Sequence, residues 1–138
     1  MKSLGIDFGT KRIGLAVSDE TGPLAFPHST VKASPNALSE IAEVVKKEGI
    51  GQIVVGESRD FQNERNAVME QIDEFKKDLA ELTNIPVAYE REFLTSVHAA
   101  RQFAPDGSRK QNASHEKLDA SAAALILQSY LDRIKNKN

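Results

Sequence analysis

The chain has 138 residues, 40% of them hydrophobic, with 18 Lys+Arg against 20 Asp+Glu for a net charge of −2, values that predict one folded domain over residues 1–138 and exclude wholesale disorder and collagen-like repeats. It contains no cysteine, which rules out disulfides, thiolate-held zinc and cysteine nucleophiles, so any metal must be held by oxygen or by His28, His98 or His115. No apolar run approaches the roughly 20 residues that cross a bilayer, and Asp7 interrupts the first apolar stretch before a signal-peptide core can form, so a cytoplasmic chain without membrane contact is expected.

In chain order, Ser3 to Asp7 and Ile13 to Ser18 are β-like runs around the turn-rich Gly9-Thr10-Lys11-Arg12, which predicts an antiparallel hairpin. Leu24 to Val31 is a third strand that Pro27 restricts to an edge or to irregular pairing. The period then changes. Leu38, Ile41 and Val45 share a helical face, with Ser34 placed as N-cap, Pro35 in the first turn and Gly49 as the stop. Ile53-Val54-Val55 is a short buried strand, and the apolar positions Val68, Ile72, Phe75, Leu79 and Leu82 step by four and three through a helix from Asn63 to Leu82. Pro86 to Arg91 is the fifth strand. A helix from Leu94 to Phe103 and a polar loop from Ala104 to Ala113 follow. The last helix runs from Ser114 to Ile134 with Leu118, Ala122, Leu125 and Ile126 on its apolar face, before a frayed Lys135-Asn138 tail. Three strands, two helix-strand units and two helices make a mixed sheet, antiparallel first and parallel later through right-handed crossovers, with helices on both faces. The expected class is a three-layer α/β fold with five strands.

Three acids stand out. Asp7 interrupts a strand otherwise fit for burial, inside Gly5-Ile6-Asp7-Phe8-Gly9-Thr10, where glycines let a ligand approach the backbone. A buried carboxylate needs a cation, a donor or water beside it; the plainer alternative is an acid that caps the following turn. Glu92 comes at the end of the fifth strand, where ligands collect in open α/β sheets, or else is simply solvated. Asp119 falls early in the last helix, inside Leu118-Asp119-Ala120-Ser121-Ala122-Ala123-Ala124, whose small side chains allow close approach to a sheet; a carboxylate near the positive end of a helix is its alternative reading. Hard cations select oxygen, and two of them about 4 Å apart can activate water and neutralise the leaving oxygen of a phosphodiester.

The run from Leu4 to Asp19, LGIDFGTKRIGLAVSD, resembles the opening of the YqgF-type family of Holliday junction resolvases and pre-16S ribosomal RNA nucleases, which has an RNase H-like fold. The likeness extends to Ile53-Val54-Val55-Gly56, to Glu92-Phe93-Leu94-Thr95-Ser96 and to the stretch from Leu118 to Asp132, so that it spans nearly the whole chain. It implies a nuclease in which Asp7, Glu92 and Asp119 match the family's acidic positions and hold Mg²⁺ or Mn²⁺. It also implies a nucleic acid partner, precursor rRNA or branched DNA, and a monomer or a homodimer, since two symmetric cuts match two-fold symmetry. The chain departs from the family pattern at Gly56-Glu57-Ser58-Arg59-Asp60-Phe61-Gln62-Asn63, where a Gly-Leu-Pro and a glycine-containing loop are usual, and at Arg91-Glu92-Phe93, which keeps the acid and changes its neighbours. In such a sheet the fourth strand lies beside the first, which makes Glu57 a candidate fourth metal ligand or else a surface residue at a loop start.

The balanced charge offers no global field for a polyanion, so phosphate contacts fall to local residues: Lys11 and Arg12 in the first hairpin, and Arg109, Lys110 and Lys117 around the last loop. An aromatic content of 6% without Trp does not suggest a base-stacking platform. The histidines lack metal spacing, although His115 can assist proton transfer. Two rivals remain. Gly5 to Thr10 also resembles the phosphate-binding hairpin of actin-like and heat-shock-70-like ATPases, which need a second related domain that this length cannot supply. A nucleic-acid-binding homologue that has lost catalysis is the other, and metal-dependent cleavage separates it from an enzyme.

Overall fold

The structure, a computed structural model, describes residues 1–9, 11–20, 24–57, 65–90 and 115–136, with side chains except at 57, 65–69, 115–119, 135 and 136. Strands β1 (Lys2–Phe8), β2 (Arg12–Ser18) and β3 (Ala25–Lys32) are followed by α1 (Ala37–Glu48), β4 (Ile50–Glu57), α2 (Arg65–Thr83), β5 (Val87–Glu90) and α3 (His115–Asn136). The five strands form one sheet in the order β3-β2-β1-β4-β5. β1 pairs antiparallel with β2 and parallel with β4. β2–β3 is antiparallel and β4–β5 parallel. This is the expected mixed sheet. The expected helix at 94–103 and loop at 104–113 lie outside the described residues.

Alternation along the strands sorts the apolar side chains into two layers. Leu4, Ile6, Ile13, Leu15, Ile53 and Val55 face α1 and α2, meeting Ala37, Ile41, Val45, Ile72, Phe75 and Leu79. Ala16 and Val54 face α3, meeting Ala122, Ala123, Ile126 and Leu127. Each fully buried Leu or Ile contributes about 1.5–3 kcal/mol relative to exposure, so the first layer carries most of the apolar stabilisation. The second layer is thinner because its residues are small. A Cβ on Gly5 of β1 would lie 2.6 Å from Leu127 Cβ and 2.8 Å from the Ala123 carbonyl. Gly5 therefore serves the approach of α3 to the sheet, and not that of a ligand.

Several boundaries differ from the sequence reading. Asn36, not Ser34, is the N-cap of α1. The Ser34 hydroxyl accepts from Asn36 N at 3.3 Å and the Ser34 carbonyl from Ala37 N at 3.0 Å, so Ser34 organises the turn before the helix instead of its first turn. Gly49 closes α1 in the left-handed conformation (φ 67°), as expected. β4 runs over eight residues, well beyond the Ile53–Val55 kernel. Leu82 and Leu125 are exposed, at 55% and 36%, because the faces of α2 and α3 are set by Leu79 and by Ala123-Leu127. Lys135 and Asn136 are helical and not frayed. β3 is an edge strand, and its register against β2 skips His28, since Leu15 pairs with Ser29 and Ala16 with Pro27. That bulge is the irregularity expected of Pro27.

Candidate functional site

The parallel strands β1, β4 and β5 end together at Phe8, Glu57 and Glu90, so their carboxyl ends form one rim. One row of paired residues crosses the sheet just inside it. Thr30 of β3 pairs with Gly14 of β2, Gly14 with Asp7 of β1, Asp7 with Gly56 of β4, and Gly56 with Glu90 of β5. Asp7 is thus flanked in register by glycines on both sides. Two residues on from Gly5, it shares the side of the sheet that faces α3. Asp7 and Glu90 are each 1% exposed, the only charged residues among the buried ones described. With strands about 4.8 Å apart, the two acidic positions are roughly 10 Å apart across Gly56.

Glu90 escaped the sequence reading, which placed its interest on Glu92. Its Oε2 lies 3.2 Å from Nη2 of Arg133 in α3, and that guanidinium also sits 5.5 Å from the centre of the Tyr130 ring. A charged residue at a strand end reads as solvated. Only the tertiary fold brings Arg133 from the last helix, and Val87, Ala88 and Tyr89 of the same strand are all only partly buried, so its neighbours did not mark Glu90 either.

The other sequence candidates divide clearly. Glu57 is the last residue of β4, paired with Phe8 and so one step out of register with Asp7, whose partner is Gly56. Glu92, Arg109, Lys110 and His98 lie outside the described residues, while Asp119, Lys117 and His115 fall in the first turns of α3 with side chains outside them. Arg12 is half-buried and lies two residues along β2 from Gly14, on the Asp7 side of the sheet; Lys11 is exposed beside it, its carbonyl accepting from Ala33 N at 3.0 Å. His28 belongs elsewhere. Its Nε2 is 3.5 Å from Glu48 Oε2, and Glu48 also takes Lys2 Nζ at 3.2 Å, at the end of β1 remote from Asp7. The Lys2 ammonium, hydrogen-bonded to Glu48, is the main cause that holds the Glu48 carboxyl below its ordinary range, with His28 adding to it.

A family model described as RuvX, Holliday junction resolvase, matches residues 1–133. The chain belongs to the RuvX Holliday junction resolvase family. Curated RuvX relatives carry the name "Putative pre-16S rRNA nuclease". That of Chloroflexus aggregans is 38% identical over 96% of this chain and 94% of its own length. The Agathobacter rectalis protein is 37% identical over 99% and 98%, and the Thermoanaerobacter pseudethanolicus protein 33% identical over 99% and 100%. Among solved structures, Thermus thermophilus RuvC in complex with a Holliday junction substrate superposes with a TM-score of 0.57 at 21% identity, covering 97% of this chain and 96% of that one. The fowlpox virus Holliday junction resolvase gives 0.56 at 16%, covering 97% and 99%. At these identities the structural likeness establishes the fold of this RuvX chain, which is the RNase H-like fold of the RuvC resolvases. No described helix is long and apolar enough to cross a membrane.

Proposed function

We infer that this chain is a metal-dependent endonuclease that hydrolyses phosphodiester bonds in structured nucleic acid, working in the cytoplasm on the 5′ end of precursor 16S rRNA. The observation that carries this reading is the buried Asp7 carboxylate, set in the middle of the sheet between Gly14 and Gly56. An apolar side chain would fill that place in a folding core without the compensation that a buried charge requires. A hard divalent cation has a use for it, because it wants oxygen donors, and the paired neighbours Gly14 and Gly56 put no side chain beside the carboxylate. The donor set fits Mg²⁺ or Mn²⁺, with Asp7, Glu92 and Asp119 as the proposed ligands and Glu57 as a proposed fourth.

When bound, the cations would supply an activated water and charge for the leaving oxygen. The part of the protein is to hold them, keep their shell anionic and steady the strand. Arg12 and Lys11 beside the row, with Arg109, Lys110 and Lys117, are assigned to phosphate contacts that position substrate without reading sequence.

The family description favours a second reading, cleavage of branched DNA. The two readings differ in assembly, because symmetric cuts across a junction call for a two-fold dimer. Cleavage of a precursor 16S rRNA end and of a four-way DNA junction, run in parallel with Mg²⁺, Mn²⁺ or chelator, decides between them. Metal-dependent cleavage of the RNA end is the expected result. Cleavage of the junction alone, by a dimer, would move the assignment to DNA. No metal-dependent cleavage of either would leave a binding protein.

A further inference from the structure

The geometry points to Glu90 and Arg133 as a positioning pair that fixes α3 against the end of β5 and thereby tunes metal binding at Asp7. This role rests on the metal-dependent nuclease reading. Glu90 ends β5 in the same cross-sheet row as Asp7, and two residues further along the chain comes Glu92. Arg133 belongs to α3, the helix that carries Asp119. The 3.2 Å contact between them therefore ties the strand that leads to one proposed ligand to the helix that bears another.

The contact is built asymmetrically. Glu90 is 1% exposed and fixed by the β4–β5 ladder, whereas the Arg133 side chain is 43% exposed and is held against the Tyr130 ring one turn earlier. Tyr130 orients the guanidinium, the guanidinium compensates a carboxylate that is out of reach of water, and the carboxylate fixes where α3 lies relative to the end of β5. A buried ion pair is seldom a net source of stability compared with apolar side chains. Its place beside the Asp7 row gives it another use, since groups that orient metal ligands typically govern metal affinity by 10–100-fold.

The test is Mn²⁺ binding by the full chain, read from the signal of free Mn²⁺ in electron paramagnetic resonance, with Tm measured on the same samples. Glu90→Gln and Arg133→Met are expected to weaken Mn²⁺ binding by about tenfold or more, and Arg133→Lys, which keeps the charge, by less. The double variant Glu90→Gln/Arg133→Met leaves no uncompensated buried charge. It should regain the Tm that Arg133→Met loses while its Mn²⁺ binding stays weak, and it decides the matter if Arg133→Met alone does not fold. Binding that returns to the wild-type level with Tm in the double variant, or wild-type binding in all variants, would overturn the positioning role. Asp7→Asn is the control for the underlying reading. If the wild-type chain and Asp7→Asn both fail to bind Mn²⁺, the metal centre falls and the pair's role with it. If Asp7→Asn alone loses binding, the metal centre stands and only the role of the pair falls.

Discussion

At the scale of single residues, Asp7 shows how a local oddity becomes a functional assignment. Replacing its carboxylate with the isosteric amide keeps the shape, turns one acceptor oxygen into an NH2 donor and removes the charge that would hold a cation. Asp7→Asn should therefore fold like the wild type, judged by circular dichroism, and lose at least about a hundredfold of metal-dependent cleavage. Retained activity, with contaminating nuclease excluded, would remove Asp7 from the centre. Glu57 poses a finer question, because the ladder pairs it with Phe8 and reaches its last residue there. To add an oxygen beside Asp7 the chain must leave the pleat at that point. If it does, Glu57→Gln should raise the metal concentration for half-maximal cleavage several-fold at saturating substrate, with the maximal rate recovered at high Mg²⁺; an unmoved midpoint would exclude it as a ligand. Asp7 was legible in the sequence because a charge inside an apolar β run is conspicuous by itself. Glu90 was not, because its meaning depends on Arg133, 43 positions away along the chain.

At the scale of elements, the docking of α3 depends on the absence of side chains. Gly5→Ala would drive a methyl into Leu127 and the Ala123 carbonyl, so it should lower stability by about 1–3 kcal/mol, read by urea denaturation. A neutral outcome would mean that α3 can withdraw from the sheet without loss. At the opposite end of β1, Lys2 and Glu48 tie the first strand to the last turn of α1. Because the folded Glu48 carboxyl is held below its ordinary value of 4.5, the contribution of this contact is present above that pH and is lost as pH falls through the lowered value. Lys2→Met should therefore lower Tm at pH 7 more than at pH 3, and an equal loss at both would deny the pairing. The first hairpin, the helix-strand alternation and hence the mixed sheet were legible because spacing and periodicity survive in the sequence, whereas the place of the fourth strand beside the first came only with the family resemblance. Helix rotation was less so: Leu125 and Leu127 are equally apolar, and only the shape of the sheet opposite chooses Leu127 for the core. The shift of the α1 cap has a similar origin, since Ser34 and Asn36 are both competent caps and the turn they share decides which one is used.

At the scale of the whole molecule, the sheet has a guarded centre and an irregular margin. β1 is paired on both edges and covered by helices on both faces, whereas β3 is paired on one edge and interrupted at His28. Native-state hydrogen exchange should find the amides of β1 and β4 among the slowest and those of β3 exchanging through smaller openings; equal protection across the sheet would mean that it opens only as a unit. The central strand also precedes both of its partners along the chain. On the ribosome its β2 edge is satisfied once Ser18 has emerged, but its β4 edge waits for 32 more residues before β4 begins at Ile50 and 39 before it ends at Glu57. At synthesis rates of about 5–20 residues per second, that leaves the amides and carbonyls on the β4 edge of β1 open for several seconds, with Leu4 and Ile6 uncovered. The newborn hairpin of β1 and β2 is therefore a stretch that needs shelter, and a pause in synthesis before β4 prolongs the exposure of its open edge.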